Sequence, residues 1–339
     1  MKQQNWLFLL ALALPAALLG GCSTLTTAPR SEAGNVPARV TPEPAVPPLV
    51  TAPEPETVES KTEAVSETIP DPIVHDPIAL LCAEIGAKLG SVSTPDCLRQ
   101  NLQASSNSVQ QRALAYKDYP PLAGKPPLGR VLLIGGIHGD EFSSVSVVFK
   151  WMDILNTHHS GRFYLRSIPL LNPDGLLRKV SQRQNEHGVD LNRNFPTTDW
   201  NASAYNHWVE VTASNVRRYP GSAGASEPET RWLIQQIKDF APDIIISIHA
   251  PHHLVDYDGP PSAPQQLGKL SLRQLGVYPG SLGNYAGKDM RLPVVTVELR
   301  SAGIMPPKSE IDGMWGDLVQ WLQQQLTQTA ATPKPGLAE

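Results

Sequence analysis

The chain lacks an excess of basic charge. Its 28 Lys and Arg stand against 32 Asp and Glu, a net charge of -4, and no basic stripe is visible, so nothing in it is built for nucleic acid. It lacks an apolar run long enough for a bilayer: the stretch from Trp6 to Leu19 falls short of the roughly 20 residues a spanning helix needs. Cysteine is scarce, three in 339 residues, and neither Cys82 nor Cys97 lies near a plausible metal motif. An odd number of cysteines demands an explanation if the chain is exported.

What is present at the start explains it. Lys2, the apolar stretch and then Leu19-Gly20-Gly21-Cys22 make a charged start, a signal-length core and a small-residue cleavage site. The last four residues resemble the lipobox of bacterial lipoproteins. That resemblance implies a signal peptide over 1–21 and lipidation of Cys22, hence a membrane contact through a lipid anchor. Ser23, where Asp would hold a lipoprotein at the inner membrane, favours the outer membrane; the expected place is the bacterial cell envelope, on its periplasmic face. With Cys22 assigned to lipid, Cys82 and Cys97 are left to pair in an oxidising compartment, and a structural disulfide is preferred to two buried thiols.

From residue 22 to 75 the composition is Pro, Thr, Glu, Val and Ala. Proline at that density blocks helix and sheet alike and leaves an extended tether. Residues 76–118 read as a small helical lead-in, with Ile78, Leu81, Cys82 and Ile85, then Leu98 and Leu102, at helix spacing. Residues 119–328 read as the catalytic domain and 329–339 as a frayed tail.

Within 119–328, apolar runs at 130–135, 163–171, 243–249 and 293–299 alternate with amphipathic stretches at 143–155, 228–240 and 311–326. Strands apolar on both faces, alternating with helices, predict an α/β fold: a mixed, mostly parallel central sheet with helices on both faces. Ser226-Glu227-Pro228-Glu229 is a good helix start, with Ser226 as the capping residue. His138, Asn172, His249 and Glu298 each fall at or just past the end of an apolar run. In open α/β sheets the ligand crevice lies outside the carboxyl ends of the strands.

His138-Gly139-Asp140-Glu141 follows the first run. A histidine and a glutamate three residues apart can offer two ligands to one metal. Alone this motif is weak, but NPDGLLRKVSQRQNEHGVDLNRNFP (172–196), His249 in SIHAP and Glu298 in TVELRSAG follow in order. Together they resemble the M14 zinc carboxypeptidases, most closely the short murein peptide amidase branch, over about residues 130–303. The resemblance implies the zinc carboxypeptidase fold, one Zn2+ ion and a peptide substrate, with a cell-wall (murein) peptide expected from the branch and the compartment. It implies His138, Glu141 and His249 as zinc ligands. Glu298 matches the general base that takes a proton from the attacking water and returns it to the leaving amine. Asn192 and Arg193 match the pair that holds the terminal carboxylate, and Arg183 the residue that polarises the scissile carbonyl. Arginine suits a planar carboxylate because its donors match both oxygens.

The family's substrate-covering tyrosine has two candidates here, Tyr278 and Tyr285. The segment that holds them is expected to line the side-chain pocket, with Leu282. It carries no charge from Pro279 to Tyr285, which argues against a pocket for simple Lys or Arg termini. Asp190 and Asn194, which flank the carboxylate clamp, are expected to shape the loop or to support the site residues from behind rather than to touch the ligand, and Asn172 and Asp174 to fix their turn. Asp140 either orients His138 or faces solvent. Two other readings share parts of the pattern. Deacylases resembling succinylglutamate desuccinylase and aspartoacylase use the same H-x-x-E, N-R and H logic on N-acyl amino acids, but Asn-Pro-Asp-Gly and TVELR fit the peptidase better. A non-catalytic wall-binding lipoprotein would not need every catalytic position, and every one is present.

Overall fold

The computed structural model describes residues 76–260 and 262–331. The signal peptide over 1–21, Cys22, the tether over 22–75 and the tail from residue 332 lie outside the described residues. The elements begin with helices α1 (Pro77–Lys88) and α2 (Thr94–Leu98) and strands β1 (Gln103–Asn107) and β2 (Ala113–Tyr119). Strand β3 (Gly129–Ile134), helix α3 (Phe142–His158), strand β4 (Phe163–Ile168) and the short helices α4 (Pro173–Leu177) and α5 (Trp200–Asn206) follow. Helix α6 (Pro228–Phe240) leads to β5 (Ile244–His249) and β6 (Leu254–Asp258), then a two-residue hairpin, β7 (Gln266–Leu267) and β8 (Leu270–Ser271). Strand β9 (Val294–Glu298) and helix α7 (Lys308–Ala331) complete the described chain. Helix α7 thus runs three residues into the expected tail.

Among the described residues, seven strands form one sheet in the order β1-β2-β4-β3-β5-β9-β6. The inner four, β4-β3-β5-β9, are parallel, while β1, β2 and β6 pair antiparallel outside them. The apolar runs are apolar throughout because both faces are covered. Val131 and Leu133 of β3 face a core shared with α3 and α7, containing Trp151, Met314 and Leu318. Leu132 and Ile134, one residue out of step, face a second core with Trp232, Leu233 and Phe240 of α6. This is the period-two alternation of a strand buried on both sides. The expected mixed sheet with helices on both faces is the fold observed.

The lead-in differs from the expectation. Helix continues only to Leu98, and residues 103–107 and 113–119 are strands that extend the central sheet. The helical part is well specified: Asp76 caps α1 by accepting from the Ile78 N–H at 2.9 Å, and Ser93 and Asp96 form a capping box on α2. Beyond it, pairing decides the structure. Tyr119 aligns with Leu165 of β4, and Ala113 with Asn107, so ladder hydrogen bonds and neighbouring side chains override the local spacing of Leu98 and Leu102. Cys82 and Cys97 are disulfide-bonded, with Cα atoms 5.3 Å apart. Helix α6 begins where expected, but its capping position is Glu227; the Ser226 hydroxyl instead donates to the Glu227 carboxylate at 2.7 Å.

Candidate active site

The carboxyl ends of the parallel strands converge on one cleft of about 450 Å³, lined by His138, Glu141, Arg183, Asn192, Arg193, His249, Tyr278 and Glu298 among others. Strand β3 ends at Ile134, and the chain turns through Gly135 and Gly136 before α3 starts at Phe142. The turn needs glycine at 139. A Cβ there would stand 2.2 Å from the carbonyl carbon of Gly175, because the His-Gly-Asp-Glu turn rests directly on the Asn-Pro-Asp-Gly turn. Asn172 ties the two: its side-chain oxygen accepts from the Gly175 N–H at 2.8 Å, and its amide donates to the carbonyls of Ile137 at 3.3 Å and Arg183 at 3.1 Å. Asp174 is fully buried and accepts from Ser108 Oγ at 2.8 Å and the Arg112 guanidinium at 2.9 Å. Both residues fix the turn.

Three buried groups converge. His138 Nδ1 lies 2.7 Å from Glu141 Oε1, His249 Nδ1 lies 3.1 Å from Glu141 Oε2, and the two Nδ1 atoms are 3.1 Å apart. Among the described residues this is the His/Cys/Asp/Glu group able to hold a metal, all its ligand atoms within 4.8 Å of one another. A tetrahedral zinc with Zn–N distances of about 2.0–2.1 Å sets two nitrogen ligands roughly 3.3 Å apart. The two imidazole nitrogens stand near that edge length. Neutral nitrogens facing each other repel, whereas two lone pairs beside a carboxylate are the donor set zinc takes. The residues fit the ion.

Asp190 holds this arrangement from behind. Its Oδ1 lies 3.2 Å from His138 Nε2 and accepts from the Asn192 N–H at 3.0 Å, while its Oδ2 accepts from Arg183 Nε at 2.8 Å. Asp190 accepts a hydrogen bond from the His138 Nε2–H, which keeps the proton on that nitrogen, leaves the Nδ1 lone pair for a metal and fixes the ring. Asp140, the other candidate for orienting His138, pairs instead with Arg217 at 2.8 Å on the rim. Burial alone would raise the Asp190 carboxyl, but Arg183 and His138 hold it well below the usual carboxylate range. Glu141 is likewise desolvated, yet His138 and His249 hold it low. Both acids are ionised at neutral pH.

Glu298 ends β9 directly beside His249 of β5, its register partner. It is buried, and its Oε2 accepts from the His252 N–H at 3.3 Å. Arg183 NH1 reaches to 3.2 Å from His138 Nδ1. Arg193 is buried and lies with its guanidinium carbon 4.6 Å from the Tyr278 ring centroid; its Nε hydrogen has no partner. Burial, reinforced by Arg183 and Arg218, pulls its pKa down to about 10. The Asn192 side-chain oxygen accepts from the Leu282 N–H at 2.8 Å, which leaves the amide hydrogens for a ligand. Asn194 donates to the Pro220 carbonyl at 2.8 Å and so shapes the loop.

Two expectations for residues 278–285 change. Tyr278 lines the cleft, but Tyr285 does not: its ring stacks on Phe195 at 5.6 Å and packs into the α6-side core. Leu282 is also core, and the cleft wall there is made by Ser281 and Gly283. Strand β6, which pairs with β9 at the edge of the sheet, supplies what the sequence reading missed, Asp256 and Asp258 on the cleft wall. The signal was present in Leu254-Val255-Asp256-Tyr257-Asp258, whose apolar and acidic residues alternate with the period of a half-buried strand.

A paired-histidine metal centre at the carboxyl edge of a mixed α/β sheet, with a carboxylate base candidate and a buried arginine facing it, defines the protein as a metal-dependent hydrolase. The family model described as zinc carboxypeptidase matches residues 102–269, and the chain belongs to that family. Murein peptide amidase A of Escherichia coli is 32% identical over 178 residues, covering 49% of this chain and 69% of the relative. Murein peptide amidase A of Vibrio campbellii is 30% identical over 177 residues, 50% of this chain and 69% of the relative. The structure of bovine thrombin-activatable fibrinolysis inhibitor in complex with tick carboxypeptidase inhibitor shares the fold, with a TM-score of 0.51 at 17% identity over 69% of this chain and 94% of that one. The protein is a zinc-dependent peptidase.

Proposed function

We propose that the protein is a carboxypeptidase or amidase that removes the terminal residue of a cell-wall (murein) peptide. The observation that carries this reading is the facing of two groups across one cleft: the His138–Glu141–His249 set and buried Arg193, whose Nε lacks a partner. A buried guanidinium of this kind calls for an anion, and a peptide's terminal carboxylate supplies one. The two murein peptide amidases similar to this chain support the cell-wall substrate, and the Cys82–Cys97 bond supports an oxidising compartment. The envelope location, with a lipid anchor at Cys22, rests on the sequence.

Zinc, when bound, supplies a Lewis acid and a water acidified to near neutral pH. The chain's own residues do the rest. Arg193 holds the terminal carboxylate, with an amide hydrogen of Asn192 beside it, and this fixes the scissile bond relative to Glu298. Glu298 takes a proton from the attacking water and delivers it to the departing amine nitrogen, work worth about 10²–10⁴ in rate. Arg183, held by Asp190, sets positive charge where the carbonyl oxygen becomes anionic. Incubation with a murein tripeptide should release the terminal diamino acid, and a dipyridyl-type chelator should stop the release until zinc is returned. Hydrolysis of an N-acyl amino acid without cleavage of any peptide would assign the protein to the deacylases instead.

A further inference from the structure

Tyr278 lines the cleft, yet its own loop holds its ring loosely. Its hydroxyl lies 3.4 Å from the Leu275 carbonyl, and its backbone nitrogen 3.4 Å from Ser281 Oγ. Both distances are long for a hydrogen bond. Two residues earlier, Gly276 has φ +81° and open space where a Cβ would stand, so the backbone there does not fix the ring either. Two contacts from outside the loop place it instead. The guanidinium carbon of Arg193 lies 4.6 Å from the ring centroid. The imidazole of His207 meets the same ring at 5.8 Å between centroids, with the planes 64° apart. An edge-on aromatic pair and a cation over a ring face are both favourable.

His207 is brought there by a segment that is itself well tied. Helix α5 passes into a π-helical turn, His207–Val211, in which the Thr212 N–H donates to the His207 carbonyl at 3.2 Å. Wider turns of this kind recur at functional sites. Beyond the turn, the Trp208 indole N–H donates to the Asn215 carbonyl at 2.8 Å, and its ring meets Tyr219 at 5.1 Å. The Gln184 amide donates to the Val216 carbonyl at 2.8 Å, and Arg217 pairs with Asp140 in the metal-ligand turn. The segment is thus tied to the metal turn at one end and touches Tyr278 at the other. Burial, then Arg193 and Arg218, hold the His207 pKa below its ordinary value, so the ring that meets Tyr278 is neutral at neutral pH. A neutral ring can stand beside two guanidiniums where a cation would be repelled.

We infer that His207 is a positioning residue for the reaction: it backs Tyr278 and keeps that ring against Arg193, which walls the carboxylate site on one side. His207 is not among the residues that line the cleft, so it acts through Tyr278 and not on the substrate. The inference rests on the peptidase reading above and adds to it the residue that sets the tyrosine wall.

The test uses the zinc-loaded protein and a murein tripeptide, comparing the parent with His207→Ala, His207→Phe and Tyr278→Leu. His207→Ala should raise KM by about 3- to 10-fold, the worth of one aromatic contact, with kcat and zinc content unchanged. His207→Phe, which restores a neutral ring, should return KM to the parent value. Added to Tyr278→Leu, His207→Ala should raise KM no further, because the two side chains act as one unit. Titration calorimetry with N-acetylalanine, a carboxylate that needs no turnover, should show a Kd raised by the same factor in His207→Ala. An unchanged KM, a loss in kcat alone, or a full additional rise in the double variant would overturn the inference and leave the peptidase reading standing. N-acetylalanine bound more weakly by His207→Ala and normally by His207→Phe, with no peptide cleaved by any form, would keep the inference and overturn the peptidase reading.

Discussion

At the scale of single residues, Asp190 connects the two halves of the site. One carboxylate fixes the ring of a metal ligand and the guanidinium of Arg183, and it stays ionised because both neighbours are cations or donors. The sequence marked it as a loop-shaping or supporting residue beside the clamp; its particular partners, His138 and Arg183, were not legible because a loop gives no period from which to read contacts. His138, His249 and Glu298 were legible because each falls at or just past the end of an apolar strand, where chain direction sets the site, and Glu141 because it stands three residues after His138. Tyr278 and Tyr285 were not separable, since a loop gives no period from which to read which ring faces inward. The division of labour predicts distinct kinetics. Glu298→Gln should keep its metal, measured by elemental analysis, and lose about 10²-fold or more in kcat. Arg193→Ala should mainly raise KM, by roughly 10- to 100-fold. Normal turnover by Glu298→Gln would remove it as the base.

At the scale of elements, the lead-in shows where spacing stops being informative. Helix α1 was readable from the spacing of Ile78, Leu81, Cys82 and Ile85, but β1 and β2 have their meaning only beside β4. Strand β6 went unread for a related reason: five residues between two longer apolar runs give too short a window for a period to stand out. The Cys82–Cys97 bond closes a loop with a sequence separation of 15. On chain-entropy grounds such a loop is worth about 3 kcal/mol. Replacing both cysteines with serine should lower the unfolding free energy by up to that amount in a urea titration, and the peptidase activity of the folded fraction should persist. An unchanged midpoint would mean that packing of Leu81, Ile85 and Leu89 alone secures the segment.

At the scale of the whole molecule, the fold was legible because the sheet is buried on both faces and its strands are uniformly apolar. The pocket's charge pattern was not, because it depends on how an outer strand meets a helical turn from another part of the chain. That pattern reaches global stability. The Asp258 carboxyl is raised from 3.8 in the unfolded chain to about 7 in the fold, so the folded state holds its proton more tightly. Its contribution is fully present below pH 4, is lost as pH rises towards 7, and is level above that. Asp258→Asn should therefore gain in Tm relative to the parent as pH goes from 4 to 8. A difference in Tm that does not change with pH would show that the carboxyl is not raised.

The glycines divide the site into a part that can evolve and a part that cannot. Gly139 is hemmed by backbone, the Gly175 carbonyl carbon and the Leu176 nitrogen, and no substitution elsewhere can move those atoms out of the way without moving the metal turn. Gly283 and Gly287 are hemmed by one side chain, that of Asp258, together with its own backbone at Gly287. A lineage that traded Asp258 for a smaller residue would at once free position 283 to vary, and that wall of the cleft could drift while the catalytic centre stood still.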